Sequence, residues 1–75
     1  MYRPIIVHCR AEYAYPGRPL RLIWEEREYH VEQVLRAWRE PDAHCFLVAT
    51  NEGIFELTYL LASDDWMLRQ FTPTF

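Results

Sequence analysis

The chain of 75 residues is poor in glycine, holding only Gly17 and Gly53. Neither lies in a glycine-rich loop, so the sequence lacks the phosphate-binding loops of P-loop and dinucleotide-binding proteins. It has no run of eighteen apolar residues, and its first apolar run, Ile5 to Val7, is too short for the core of a secretory signal. We therefore expect a cytoplasmic protein with no membrane association, whose two cysteines are free thiols.

Lysine is missing altogether, because all eight basic residues are arginines. The arginines are concentrated in the first third of the chain, whereas acidic residues dominate after Glu40, and the net charge is −3. Strong binding of duplex nucleic acid depends on neutralising several phosphates with basic side chains. The charge balance therefore argues against a duplex-binding protein.

Apolar residues, by contrast, are abundant: they make up 51% of the chain, and aromatic residues make up 16%. This composition is unlike that of a disordered protein and supplies enough material for a core. A chain of this length is close to the smallest size at which one hydrophobic core supports independent folding. We expect a single small domain that spans residues 1–75.

Short segments that alternate apolar and polar residues, separated by turn residues, predict β-strands. The expected strands are Ile5 to Tyr15, Leu20 to Trp24, Ala43 to Thr50, Ile54 to Leu61, and a last one in which Trp66, Leu68 and Gln70 oppose Met67, Arg69 and Phe71. The expected reversals are Tyr15-Pro16-Gly17, Glu25-Glu26-Arg27, Asn51-Glu52-Gly53 and Ser63-Asp64-Asp65. This spacing predicts a mainly all-β fold, a small antiparallel curled sheet or SH3-like barrel of five to six strands.

The stretch from Val31 to Glu40 is ambiguous between strand and helix. Val31, Val34, Leu35 and Trp38 have the spacing of one helical face, which would give an α+β fold with a helix near Val31–Glu40. No Ser, Thr, Asp or Asn caps the start of such a helix. A strand needs a bulge near Glu32 and Gln33 to turn Val34 inward. Both interpretations end at Pro41.

One set of residues resembles a known family. The set comprises an Arg-Pro pair, Trp24, Arg27, Tyr29, Val31, Val34-Leu35, Trp38, Gly53 to Leu57, and Trp66 to Leu68. In this order they resemble the small uncharacterised bacterial proteins of the domain of unknown function DUF6504, over Arg18 to Phe71. The resemblance implies a small, mostly β domain and favours the bulged strand; it supplies no catalytic residue. The family usually has glycine where this chain has Glu26, so a turn that needs positive φ would be strained here.

Several residue pairs could carry chemistry. The dipeptides His8-Cys9 and His44-Cys45 suggest a zinc site or a cysteine nucleophile assisted by His30, which would make the chain a small metalloprotein or enzyme. Neighbours on a strand point to opposite faces, however, so one dipeptide cannot easily supply two ligands to one ion. The carboxylate pairs Glu25-Glu26 and Asp64-Asp65 fall in predicted polar turns, where both members would be solvated. We predict no catalytic residue, no metal site and no cofactor.

Aromatic and basic side chains are the remaining candidates for function. We expect Trp24 and Trp66 in the core, whereas Trp38 could lie in the core or on the surface. An exposed Trp38 together with Arg21, Arg36 and Arg39 would form a binding surface, because Trp and Arg are enriched where partners bind most strongly. The leading hypothesis is a non-enzymatic interaction module with a protein partner or a homodimer that covers an open sheet edge. The alternative is an accessory protein that binds single-stranded nucleic acid by stacking and charge.

Overall fold

The computed structural model describes residues 3–10 and 18–73 of the chain. These residues form seven antiparallel β-strands: β1 Arg3–Pro4, β2 Ile6–Arg10, β3 Arg18–Trp24, β4 Arg27–Glu40, β5 Ala43–Thr50, β6 Gly53–Leu60 and β7 Asp65–Pro73. No helix occurs within the described ranges. The predicted all-β class is confirmed.

The strands pair in the order β1-β7-β6-β5-β4-β3-β2. The first and last members of this order are consecutive in the chain, because only Ile5 separates β1 from β2. The backbone N–H of Ile5 donates to the carbonyl of Trp66 at 3.2 Å, which ties this segment to the start of β7. One extended segment therefore pairs with both ends of the sheet, and the sheet curls into a half-barrel. The predicted curled sheet is confirmed, while the turn expected at Tyr15-Pro16-Gly17 lies outside the described residues.

The ambiguous stretch Val31 to Glu40 is the second part of the 14-residue strand β4. Its pairing with β5 shifts register between Val31 and Gln33, and again between Val34 and Arg36. The first shift confirms the bulge predicted near Glu32, and the helical alternative is wrong. Bulges bend a strand, and β4 pairs with β3 through Arg27–His30 before it pairs with β5 from Val31 onward.

Aromatic rings from distant strands fill the concave side of the sheet. Tyr29 and Phe55 are buried, with centroids 4.8 Å apart in an edge-to-face arrangement. Phe71 lies 4.4 Å from Phe55, and Trp24 lies 5.3 Å from Phe71. Each such ring pair contributes about 0.5–1.5 kcal/mol to stability beyond the contribution from burying the area of the rings. Trp24 and Trp66 pack against this core, as expected.

The last strand departs from the predicted alternation. Leu68 pairs with Leu57 and Gln70 pairs with Glu56, so Arg69 is an extra residue between these two pairs. The expectation that Gln70 shares a face with Trp66 and Leu68 is wrong. The extra residue instead brings Phe71 to the inner face, where its ring packs on Phe55. A partly buried aromatic ring therefore takes the inner position that strict alternation would give to the Gln70 amide, and this avoids the cost of desolvating an unpaired polar group.

The β5–β6 hairpin forms where the sequence predicts it. The Thr50 hydroxyl donates to the Gly53 carbonyl at 2.8 Å and accepts from the Gly53 N–H at 3.2 Å. Gly53 has a φ of 154°, and a Cβ at this position would lie 2.4 Å from the carbonyl oxygen of Thr72. Glycine is therefore required here by both backbone conformation and space.

The β3–β4 reversal places two glutamates in the left-handed region. Glu25 has a φ of 52° and Glu26 a φ of 65°. Positive φ at both central residues is the requirement of a type I′ hairpin turn, which favours Asn-Gly. The tight reversal expected at Glu25-Glu26-Arg27 is present, and it holds two residues whose Cβ atoms make this conformation costly.

Substituting Glu26→Gly should therefore stabilise the fold. We expect a gain of about 1 kcal/mol in the free energy of unfolding, measured by urea denaturation. The matched control is Glu26→Ala, which removes the same charge but keeps a Cβ at positive φ and should give little gain. Equal stabilisation by both variants would show that charge repulsion, rather than backbone strain, is what the substitution relieves.

Candidate binding surface

The convex side of the sheet carries a row of directly paired residues that does not contribute to the aromatic core. Trp38 pairs with Cys45, Cys45 with Thr58, and Thr58 with Met67, across β4, β5, β6 and β7. The neighbouring row on the same face contains Arg36, Leu47, Glu56 and Gln70. We use the term outer patch for six residues on this side: Arg36, Trp38, Glu40, Leu47, Glu56 and Arg69.

Trp38 is the centre of the outer patch. The guanidinium carbon of Arg36 lies 5.0 Å from the centre of the Trp38 ring, which is cation–π geometry. The indole Nε1 of Trp38 donates to Glu40 Oε2 at 3.2 Å. Arg36, Trp38 and Glu40 follow one another at intervals of two residues along β4, so their side chains share one face. Trp38 is partly buried on the outside of the sheet, intermediate between the two locations expected from sequence.

Arg69, the extra residue of β7, reaches across the patch. One of its terminal nitrogens donates to Glu40 Oε2 at 2.8 Å, and its Nε lies 3.4 Å from Glu56 Oε2. The side chain thereby joins β7 to β4 over the two strands between them. The hydrogen bond from Arg69, followed by that from Trp38, lowers the pKa of Glu40 below its usual value. Glu40 is consequently ionised at neutral pH.

A buried thiol lies beneath these side chains. Cys45 is fully buried, and its Sγ lies 3.8 Å from Thr58 Oγ1 and 3.7 Å from a terminal nitrogen of Arg69. Burial raises the pKa of the Cys45 thiol. The reactive form of cysteine is the thiolate. The protonated Cys45 is therefore a packing residue under Trp38 and Arg69 at neutral pH.

A shallow depression of about 310 Å³ adjoins the outer patch. It is lined by Leu47, Ile54, Glu56, Gln70 and Thr72 from three adjacent strands. Ile54 is among the large apolar residues that are well exposed. The convex side thus presents aliphatic, aromatic and paired charged groups to solvent.

The structure places the four predicted binding residues in three separate locations. Arg36 and Trp38 are in contact on the outer patch. Arg39 lies on the opposite face of β4 and donates to His44 Nε2 at 3.2 Å. Arg21 lies on β3, where it pairs with Glu28 at 2.8 Å. The four residues do not form one surface.

Sequence reasoning missed Glu40, Glu56 and Arg69. Glu40 and Arg69 are 29 positions apart, and they meet only because β4 and β7 curl within one sheet. Arg69 faces outward because of the extra residue in β7, which the alternation of residues alone does not indicate. The available sequence signal was Phe71: placing this aromatic residue in the core requires a bulge before it.

The dipeptide His44-Cys45 does not bring its two side chains to one site. His44 and Cys45 are consecutive on β5 and face opposite sides, toward Arg39 and Thr58 respectively. In residues 3–10 and 18–73, no group of three His, Cys, Asp or Glu side chains could hold a metal ion. The same residues contain no helix that could span a membrane.

Comparison with models of known protein families finds none that matches the chain, and searches among curated proteins and solved structures also find no match. The resemblance to DUF6504 stays a prediction.

The buried position of Cys45 predicts slow chemical modification. In a Cys9→Ser variant, which leaves Cys45 as the only thiol, we expect reaction with a disulfide reagent at pH 8 at least about a hundredfold slower in the folded than in the urea-unfolded protein. Absorbance of the released thiol measures both rates. Similar rates in the two states would contradict the burial of Cys45 beneath the outer patch.

The depressed pKa of Glu40 predicts a pH dependence of stability. Because the pKa is lower in the folded than in the unfolded chain, the stabilisation is complete at neutral pH and is lost as the pH falls below the ordinary glutamate range, near 4.3, and through the folded value. Thermal melts from pH 7 to pH 3 should show a smaller acid-induced decrease in Tm for Glu40→Gln than for the wild type. The exposed Glu32→Gln variant is the control and should follow the wild-type curve.

Proposed function

We propose that this protein is a non-enzymatic binding module that engages a protein partner through the outer patch. The observation that carries the proposal is the contact between Arg36 and Trp38 on the solvent-facing side of a sheet whose core is formed by other aromatic residues. Tryptophan and arginine contribute most to binding energy when a partner desolvates them. The exposed side chain of Ile54, which lines the depression together with Leu47 and Glu56, adds apolar area to this side of the sheet.

A protein partner is favoured over single-stranded nucleic acid by the charges of the patch. Its two arginines, Arg36 and Arg69, are matched by Glu40 and Glu56, and Arg69 is within 4 Å of both carboxylates. Arg39 lies on the other face of the strand, beside His44. Binding of a nucleic-acid strand requires a surplus of positive charge along its backbone. The balanced charges suit a partner surface that presents both signs.

The protonation states of two residues support a non-catalytic role. A general acid at neutral pH needs a raised carboxyl pKa, and a cysteine nucleophile needs a lowered thiol pKa. The pKa of Glu40 is shifted down and that of Cys45 is shifted up, the reverse of both requirements. A cytoplasmic location and membership of the DUF6504 family are parts of the same proposal.

Affinity capture from native cytoplasm with matched variants tests the proposal. A protein retained by the wild type should be lost with Trp38→Ala and reduced with Arg36→Ala, because both truncations remove the central contact of the patch. Arg21→Ala is the control, since it removes an arginine from a different region and should retain the partner. Retention by all variants would contradict the outer patch as the binding surface.

A titration with a labelled single-stranded oligonucleotide at low salt tests the alternative function, binding of single-stranded nucleic acid. We expect no saturable binding. Saturable binding that weakens steeply with added salt and is lost with Trp38→Ala would favour the nucleic-acid function instead.

A further inference from the structure

Strand β4 changes its neighbours along its length. Arg27–His30 pair with β3, and the strand pairs with β5 from Val31 to Glu40. In the part of the chain that the structure describes, no strand pairs with residues 31–40 of β4 on the side away from β5. Backbone N–H and C=O groups along such an edge are available to a further strand.

The last five residues of β4, Arg36 to Glu40, form a regular edge. They pair one to one with Leu47 to Ala43, without a shift of register. The register shift at Val34 and Arg36 bounds the segment on one side, and Pro41, which has no N–H and begins a turn, bounds it on the other. A pairing strand would therefore meet a defined length of extended backbone.

The charges of this edge are complementary to themselves. Arg36 lies two residues before Trp38 and Glu40 two residues after it, and all three side chains face outward. In an antiparallel pair of identical strands related by a two-fold axis at Trp38, each Arg36 is directly opposite the Glu40 of the other copy. Directly opposite residues have Cβ atoms about 4.5–5.5 Å apart, and opposite charges at that distance attract.

Other registers lack this match. A shift that centres the axis on Ala37 places Arg36 opposite Trp38, and one that centres it on Arg39 places two Arg39 side chains opposite each other. An axis between two residues would pair an outward residue with an inward one, which a continuous sheet does not allow. Only the register centred on Trp38 places each Arg36 opposite a Glu40 and keeps both side chains on the outer face.

We propose that a second copy of this chain adds to the free edge of β4 as an antiparallel strand, with Trp38 on the two-fold axis and two Arg36–Glu40 pairs across it. The pairing would continue the sheet from one copy into the next and place the two outer patches side by side. The inference deepens the proposed function, because it gives the patch a second copy as one of its partners.

Sedimentation equilibrium of the purified protein tests this pairing. The wild type should dimerise reversibly, and Arg36→Glu and Glu40→Arg should each raise the dimer Kd at least about tenfold, because each places like charges opposite each other twice. An equimolar mixture of the two variants should form a heterodimer with a Kd within about threefold of the wild-type value. In the mixed pair, every substituted side chain is opposite a charge of the other sign.

Glu40→Arg also removes the contacts of Glu40 with Trp38 and Arg69 within one copy. The mixture distinguishes this local effect from a loss of charge pairing between copies, because only the charge pairing is restored in the heterodimer. Arg21→Glu, on β3, is the control and should dimerise like the wild type; far-ultraviolet circular dichroism confirms that each variant is folded. A wild-type monomer at millimolar concentration, a dimer that neither variant weakens, or a mixture that stays monomeric would each overturn the proposal. Such a failure leaves capture of a different protein through Trp38 as a separate result, so the two proposals can be told apart.

Discussion

The packing of Phe71 and Trp24 against Phe55 and Tyr29 determines the curvature of the sheet. Trp24 lies on β3 and Phe71 on β7, close to opposite ends of the strand order, and their centroids are 5.3 Å apart. A flat sheet with this order would hold the two strands far apart, since neighbouring strands are about 4.7–4.9 Å apart. The contact therefore requires the sheet to curl. Burial of these rings offsets the entropy lost when such a short chain folds.

The register shifts follow from the same constraint. Strict alternation along β7 would turn Gln70 inward and Phe71 outward, whereas the extra residue Arg69 reverses both. Along β4, the shifts near Glu32 and Leu35 bend the strand so that it can pair with β3 first and β5 afterwards. Each bulge interrupts regular strand pairing locally. The shift near Glu32 keeps Val34 against the core, and the extra residue Arg69 does the same for Phe71.

The outer patch is a consequence of this core. The bulge that places Phe71 inside also directs Arg69 outward, where it reaches Glu40 and Glu56. Arg69 and Trp38 then cover Cys45, which is why a thiol on the convex side is fully buried. The core and the outer patch therefore depend on the same bulge in β7. A substitution at Phe71 should alter the contact between Arg69 and Glu40.

Local pattern was enough to predict much of the fold. Turn residues and alternation located the β5–β6 hairpin, the reversal at Glu25 and Glu26, and the bulge near Glu32, because these features depend on neighbours in sequence. Alternation also implies that Arg36 and Arg39 lie on opposite faces of β4. The bulge at Arg69 and its contact with Glu40 could not be predicted in this way, since both depend on strands that meet only after the sheet curls.

Nuclear Overhauser contacts between side chains in solution measure whether Phe71 closes the aromatic core. We expect contacts between the rings of Trp24 and Phe71, and between those of Phe71 and Phe55. We also expect cross-strand contacts of Gln70 to Glu56 and of Leu68 to Leu57 that skip Arg69. Contacts from the Gln70 side chain to Phe55, with Phe71 exposed and remote from Trp24, would contradict this packing.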